Sequence, residues 1–150
     1  TRDLGWHMLM AGRLIERLIS LSAILTAFFK HAAVFTPRGF ETLLVLFDSS
    51  ITYRTRYQRH QDIPALLDLI VNDETNPRAF RCILQELARE IGHLPNGEAL
   101  LRELPVFDPD EEAILRQVES VSRAGDWGAR VSDDISRRFF AHAVERHFAS

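Results

Sequence analysis

Apolar residues recur along most of the chain at intervals of three and four, which is the spacing of a helix with one buried face. The predicted helices span residues 3–33, 40–57, 64–72, 76–95, 97–104, 108–125 and 132–150. Asp3 and Asp62 are placed to cap the first and third of these helices, because a carboxylate accepts the free N–H groups of a first turn. No segment alternates apolar and polar residues as a half-buried strand does.

Three further helix ends are predicted from particular residues. Asn76 followed by Pro77 is typical of a helix start, since proline in the first turn loses no hydrogen bond there. Asp108 followed three positions later by Glu111 forms a capping-box pattern and predicts the start of the sixth helix. Gly125 then predicts the end of that helix.

The connections between these helices are short, which favours antiparallel neighbours. The predicted fold class is therefore all-α, an antiparallel helical bundle of about six to seven helices. A chain of 150 residues without low-complexity segments is expected to form one helical domain, 1–150. The candidate motifs fall within residues 4–95, and residues 96–150 carry a looser helical pattern.

Composition excludes some classes of function without identifying one. A net charge of -3 argues against a generally basic nucleic-acid surface. The most apolar stretch, residues 18–29, falls short of the about 20 apolar residues that a membrane-spanning helix needs. A single cysteine and the lack of a leader-like start predict a cytoplasmic protein, and a first residue other than Met predicts a piece of a longer one. Residues 1–60 carry a net charge of +4 and residues 61–150 one of -7, which predicts ion pairing within the chain.

The first helix carries Arg13, Glu16 and Arg17 close to its apolar side. At about 100° per residue, both arginines fall on or beside a sector formed by five apolar side chains. These are Trp6, Met10, Leu21, Ile24 and Phe28. Buried guanidinium groups need a partner, so this pattern predicts inward-facing arginines held by a carboxylate of a neighbouring helix or by a bound anion. The candidate carboxylates are Asp48, Asp68 and Asp73. A third interpretation lets the long side chains extend to water.

A second group lies in residues 50–59, where Tyr53, Arg54 and Arg56 occur together. Arginines interleaved with tyrosines can grip phosphates and stack on bases, which is one interpretation of this segment. The other has Arg54 paired inside the bundle and Arg56 and Arg59 in solvent. The acidic composition favours the second interpretation and disfavours nucleic acid as a partner.

The third group, residues 73–78, contains Asp73, Asn76 and Arg78. Asn76 is explained by the predicted helix start. Asp73 and Arg78 flank that start and are placed to reach the first two groups.

The sequence nominates no metal site, cofactor site or catalytic constellation. It has no glycine-rich phosphate loop, which argues against ATP binding by this chain alone. The six histidines are scattered, and none forms a metal-binding pair with a nearby acid. Cys82 borders the apolar stripe of the fourth helix, where a small core residue is the favoured interpretation over a nucleophile.

Taken in order, the three groups resemble the alpha-E domain family, a bacterial all-helical family named for a Glu-Arg motif. The segment WHMLMAGRLIER at residues 6–17 resembles the family's W-x-x-x-x-x-G-R-x-x-E-R element. The segments ITYRTRY at residues 51–57 and DETNPR at residues 73–78 resemble its YRxRY and DxxNPR elements. The resemblance covers about residues 4–95 and is to the C-terminal half of the family's domain.

The resemblance implies an accessory helical module without independent catalysis. Alpha-E domains are found fused to, or encoded beside, ATP-grasp-type ligases and transglutaminase-like peptidases, which implies partners that form or trim amide bonds in a peptide. The resemblance assigns no catalytic residue. It marks nine candidate ligand-binding positions, which are Arg13, Glu16, Arg17, Tyr53, Arg54, Arg56, Asp73, Asn76 and Arg78.

Two alternatives accompany this implication. An arginine-rich pocket formed by Arg13, Arg17, Arg54 and Arg56 would make the chain a binding module for a small anion or a peptide carboxylate, with or without catalysis. If the other half of the family's domain is missing, an apolar groove is expected to remain exposed, and a homodimer would cover it.

Overall fold

Seven α-helices follow one another along residues 3–58 and 60–149, which is the part of the chain that the computed structural model describes, with the backbone alone at residues 139, 142, 143 and 146–149. The helices are α1 (Leu4–Lys30), α2 (Pro37–Leu46), α3 (Ser50–Tyr57), α4 (Ile63–Leu67), α5 (Phe80–Gly92), α6 (Gly97–Arg102) and α7 (Ile114–Ala149). A 3₁₀ turn, Ala33–Phe35, precedes α2, and α4 continues into a π-helical turn, Asp68–Asn72. These described residues contain no strand, so the predicted all-α class is confirmed.

The two longest helices, α1 and α7, pack against each other in opposite directions. Ser22 donates its hydroxyl hydrogen to the carbonyl of Val121 at 3.0 Å, and Leu18, one turn earlier on α1, packs on the later α7 residue Gly128. As predicted, Asp3 caps α1, accepting a hydrogen bond from the Trp6 N–H at 2.9 Å. No helix in the described ranges is both long and apolar enough to cross a lipid bilayer.

The predicted helix end at Gly125 is wrong, because α7 runs through it without interruption. A Cβ at Gly125 would stand 2.2 Å from the Ser22 hydroxyl oxygen. The glycine therefore allows close approach of α1 and α7, a role that outweighs its low helix propensity. The predicted sixth and seventh helices are one element.

The predicted start of that helix at Asp108 is also wrong, since α7 begins at Ile114. Asp108 instead accepts a hydrogen bond from the Asp110 N–H at 2.9 Å and closes a turn.

The second predicted helix is divided into α2 and α3. Asp48 has a φ of 50°, a left-handed conformation that ends α2. The Ser49 hydroxyl then bonds the Phe47 carbonyl at 2.9 Å. Asp62 caps α4 as predicted, accepting from the Ala65 N–H at 3.2 Å.

The core lies between α1, α5 and α7 and is closed by α2 and α4. Trp127 is fully buried, and its indole N–H donates to the Leu100 carbonyl at 3.1 Å, which fixes α6 on α7. This frame holds α3 and the segment before α5, where two of the three motif groups lie, side by side.

Candidate functional site

The second and third motif groups meet at one place, here called the motif junction and comprising residues 48–57 and 68–78. Arg56 donates from one terminal nitrogen to the Asp73 carboxylate and from the other to the Thr75 hydroxyl at 2.9 Å. Thr75 in turn donates its hydroxyl and its N–H to Asp73, at 2.7 and 2.8 Å. The three side chains therefore form a closed set of hydrogen bonds.

The electrostatics of this set favour the charged forms of both ionic groups. Burial would raise the pKa of Asp73, but the hydrogen bonds from Thr75 and Arg56 outweigh it and hold the pKa below its ordinary value. The hydrogen bond to Asp73 raises the pKa of Arg56. Arg56 thus lies in solvent as the second interpretation predicted, with its side chain 39% exposed, and it is also paired with a carboxylate of the protein.

Asn76 lies at the centre of the motif junction and is only 5% exposed. Its amide nitrogen donates to the Ser49 hydroxyl at 3.1 Å and to the Leu69 carbonyl at 3.0 Å. Its carbonyl oxygen accepts from the Arg78 N–H at 3.2 Å. The predicted helix cap at Asn76 is wrong, because α5 begins only at Phe80 and the amide is used to join three separate segments.

The remaining charges of the motif junction are also paired, though closer to solvent. Arg78 lies 2.6 Å from a carboxylate oxygen of Asp48. Arg54 is 66% exposed and stands 3.8 Å from Glu41, so the prediction that it pairs inside the bundle is wrong. Arg59 lies outside the described residues.

The two tyrosines of the motif junction are used internally. Tyr53 is buried, donates its hydroxyl hydrogen to the His60 carbonyl and accepts from the Asp62 N–H at 3.2 Å. Tyr57 donates to Asp68 at 3.3 Å. Burial raises the pKa of both phenols. Tyr53 therefore offers no free ring on which a base could stack.

The first motif group stands apart from the motif junction and faces solvent. Arg13, Glu16 and Arg17 are all exposed and form no hydrogen bond or ion pair with any described residue. The three candidate countercharges are already engaged: Asp48 by Arg78, Asp68 by Tyr57 and Asp73 by Arg56. The prediction that the arginines of the first helix point inward is therefore wrong.

The physical reason lies in which apolar side chains define the buried stripe of α1. Of the five apolar residues of the predicted sector, only Leu21 is buried, and Trp6, Met10, Ile24 and Phe28 are half-buried on the flank of the stripe. The other apolar members of the buried stripe are Ala11, Ile15, Leu18 and Leu25. Arg13 is two positions from both Ala11 and Ile15, so it lies roughly 160° around the helix axis from each of them. Because the prediction counted these large flanking side chains as buried, it placed the buried sector too close to the arginines.

The exposed surface that carries these charges is here called the outer face of α1. It consists of Leu9, Gly12, Arg13, Glu16, Arg17, Ser20, Ala23 and Ala27. Gly12 is half-buried beside Arg13, and apart from adjoining helix backbone no atom lies within 4 Å of where its Cβ would stand. The outer face thus combines unpaired charges with small residues.

Sequence reasoning missed a polar cluster between α1 and α5. His7 and Glu90 are hydrogen-bonded at 2.7 Å, and the His7 ring stacks on His93 with ring centres 4.3 Å apart. His7 and Glu90 are 83 positions apart, so no local spacing could indicate the contact. Among the described residues, no three His, Cys, Asp or Glu side chains are arranged to hold a metal ion.

A small apolar cavity of about 210 Å³ also lies where α1 begins beside α7. It is lined by Leu4, Met8, Leu94, Pro95, Leu100 and Ile135. Arg138 stands at the same cavity and donates to the Pro95 carbonyl at 3.2 Å and to Asp134 at 2.6 Å.

Burial raises the pKa of the Cys82 thiol, which is half-buried and lies 3.5 Å from the Asp73 carbonyl.

Comparison with known protein families finds one match that covers nearly the whole chain. The family model Alpha-E, described as a predicted alpha-helical domain with a conserved ER motif, matches residues 1–140. Within those residues the only Glu-Arg dipeptide is Glu16–Arg17.

Similar proteins in mycobacteria are much longer than this chain. An uncharacterised protein of Mycobacterium bovis and uncharacterised proteins of two Mycobacterium tuberculosis strains are each 30% identical to it over 130 residues. The matched region is 82% of this chain and 15% of each relative. No solved structure matches significantly. On the strength of the family match along nearly its whole length, the chain belongs to the Alpha-E family.

Proposed function

We propose that this chain is a non-catalytic helical accessory module that assembles with other proteins through the outer face of α1. One observation carries the proposal: the Glu-Arg dipeptide of the matched region, with Arg13 beside it, is exposed and has no partner among the described residues. Charged side chains that stabilise nothing within the chain are available to act outside it. A protein partner with complementary charges is the simplest use of such a surface.

The pairing of the other motif residues supports docking over catalysis. Arg56 and Arg78 each contact a carboxylate, so neither offers a free guanidinium to a substrate. Asp73 is held by Arg56 and Thr75, and the Asn76 side chain is fully engaged. These residues position α3 against the segment before α5, and we assign them a structural role.

The resemblance to alpha-E proteins supplies the expected partners, an ATP-grasp-type ligase and a transglutaminase-like peptidase. In this proposal the partners form or trim amide bonds in a peptide, and the helical module organises them. The matched region makes up 15% of the length of each mycobacterial relative, which is the scale of a module working beside larger domains.

The test is co-purification of the chain with an ATP-grasp-type protein of the same organism. We expect a complex with the unaltered chain and its loss with the double variant Arg13→Glu, Arg17→Glu. The matched control is Arg89→Glu, Arg102→Glu, which makes the same change in net charge at exposed arginines of α5 and α6. Equal loss in both variants would contradict a specific role for the outer face, and no complex with the unaltered chain would contradict the partnership.

A second candidate function is favoured by the same unpaired arginines. Arg13 and Arg17 are free to bind a small anion or a peptide carboxylate, although they lie on a convex helix face and not in a pocket. Calorimetry with phosphate, glutamate and short acidic peptides tests this alternative. Heat of binding that disappears in the Arg13→Glu, Arg17→Glu variant would favour it over protein docking.

A further inference from the structure

The apolar cavity beside the start of α1 has a distinct floor and mouth. Leu94, Leu100 and Ile135 form its floor and are 8–9% exposed. Leu4 and Arg138 are each 40% exposed and stand at its mouth. The cavity therefore opens to solvent between the first turn of α1 and the later part of α7.

The size of the cavity suits a short hydrocarbon group. An apolar cavity of about 150 Å³ lined by aliphatic and aromatic side chains stays dry and can bind benzene. This cavity measures about 210 Å³, and its lining among the described residues is apolar apart from Arg138. It therefore has room for an apolar group of about six to eight carbon atoms. Binding such a group would remove apolar surface from water on both the protein and the ligand.

Arg138 supplies a positive charge at the mouth of the cavity. Its Nε donates to Asp134 at 2.6 Å, and one terminal nitrogen donates to the Pro95 carbonyl at 3.2 Å. The other terminal nitrogen makes no hydrogen bond with any described residue. Asp134 also faces Arg137 at 3.9 Å, so one carboxylate is shared between two guanidinium groups. Arg138 is thus held in place and still has N–H groups to donate.

We propose that this cavity binds a carboxylate that carries a short apolar chain. The chain lies between Leu94, Leu100 and Ile135, and the carboxylate accepts hydrogen bonds from the free N–H groups of Arg138. The guanidinium plane presents neighbouring N–H groups that match the two oxygens of a carboxylate. An ammonium group would be repelled by the arginine, and a hydroxyl group would form a weaker hydrogen bond with it. The site uses no residue of the outer face of α1, so it does not depend on the docking proposed above.

Two kinds of molecule share this chemistry. One is a free aliphatic acid, and the other is the C-terminal residue of a peptide with an apolar side chain. The peptide adds an amide group beside the carboxylate, and this amide must stay in water at the mouth of the cavity. Ligands with and without the amide therefore distinguish the two sources.

Six-carbon ligands that differ only in the head group test the proposal. The methyl resonances of Leu94, Leu100 and Ile135 are followed by NMR at pH 7 while hexanoate, hexan-1-ol or hexylamine is added to the chain. We expect these resonances to shift with hexanoate, which should bind about tenfold more tightly than hexan-1-ol. Hexylamine should bind most weakly. N-acetylnorleucine adds the amide: tighter binding than hexanoate assigns the site to peptide C-termini, and weaker binding assigns it to free aliphatic acids.

Two variants separate the head group from the chain. Arg138→Met keeps an apolar stem and removes the charge, so hexanoate should lose its advantage over hexan-1-ol while hexan-1-ol binds as before. The matched control is Arg123→Met, at an exposed arginine about four turns earlier in α7, and it should change neither affinity. Met8→Phe enlarges a side chain that lines the cavity and should weaken the binding of both ligands about tenfold or more.

Circular dichroism shows whether each variant is folded. If Arg138→Met still binds hexan-1-ol, its loss of preference for hexanoate cannot come from misfolding. The inference would be overturned by shifts that leave the three floor residues unaffected, or by hexylamine binding as tightly as hexanoate. An unchanged preference for hexanoate in Arg138→Met, or no shift with hexanoate at any soluble concentration, would overturn it as well.

Discussion

Two arginine-rich regions of this chain look alike in sequence and are used in opposite ways. In the motif junction, Arg56 and Arg78 each meet a carboxylate, and Asn76 joins three segments. On the outer face of α1, Arg13 and Arg17 have no partner among the described residues and point to water. Residue type alone does not separate the two regions; their surroundings do.

The difference identifies which motif to change when function, and not folding, is the question. A side chain whose hydrogen bonds are all made within the protein contributes mainly to stability, and its loss leaves its partners unsatisfied. An exposed charge without a partner among the described residues contributes little to stability, so a change there can test the proposed role in recognition without unfolding the chain. The predictions below follow this division from the largest expected effect to the smallest.

The largest effect is expected for Asn76→Ala in the motif junction. The change removes three hydrogen bonds and leaves the Leu69 carbonyl without its side-chain donor, so the free energy of unfolding should fall by about 2–3 kcal/mol. Urea denaturation measures it. Asn72→Ala is the control, since Asn72 is half-buried and its side chain makes one hydrogen bond, to Gln117, and this variant should lose about 1 kcal/mol. Equal losses would contradict the central place of Asn76.

The second effect is the loss of stability at acid pH that Asp73 contributes. Because the pKa of Asp73 is lower in the native state than in the unfolded chain, the unfolded chain takes up protons first as the pH falls. The stability contributed by this carboxylate is present above the unfolded pKa of about 3.9 and is lost as the pH falls through that value toward the native pKa. The loss of stability between about pH 5 and pH 3 should therefore be smaller in Asp73→Asn than in the wild type. The matched control is Asp126→Asn, which makes the same chemical change at an exposed position of α7.

The third effect lies on the outer face and has the opposite sign. Gly12→Ala should raise the free energy of unfolding of the dilute chain by about 0.5–1 kcal/mol, because alanine favours the helix and no side chain of the described residues obstructs its Cβ. Thermal unfolding of the dilute chain measures this gain. A destabilised dilute chain would reveal packing at Gly12 within the monomer.

The smallest effect on stability is expected for the double variant Arg13→Met, Arg17→Met. Both side chains are exposed and have no partner in the part of the chain that the structure describes, so the free energy of unfolding should change by less than about 0.5 kcal/mol. Urea denaturation of the dilute chain checks this. A loss of several times that size would show that the arginines are held by carboxylates within the chain, as the sequence pattern had indicated.

Local signals in the sequence predicted the elements of the fold well. The Asp3 and Asp62 caps lie where expected because a cap depends on neighbours within three residues. The prediction at Gly125 was wrong because glycine occurs both at helix ends and at close contacts between helices. Only the position of Ser22, on another helix, decides between these two roles. The helix-like start at Asn76 failed for a similar reason, since tertiary hydrogen bonds outweighed the local preference.

The candidate site was predicted less completely than the fold. The sequence indicated that the second and third motif groups lie within reach of each other, and the Arg56–Asp73 pair agrees. The sequence could not show that the first motif group lies away from the other two. The direction in which Arg13 points depends on which apolar residues of α1 are buried most deeply. The buried stripe is built from Ala11, Ile15 and Leu18, whereas the bulky Trp6 lies on its flank.

Chemical labelling of arginines with a dicarbonyl reagent, read by mass spectrometry, tests the central claim most directly because it reports on both regions in one sample. The account predicts that Arg13 and Arg17 react readily in the dilute chain and become protected on assembly, while Arg56 is protected throughout by Asp73 and the exposed Arg89 reacts throughout. Protection of Arg13 and Arg17 already in the dilute chain, or equal reactivity before and after assembly, would contradict it.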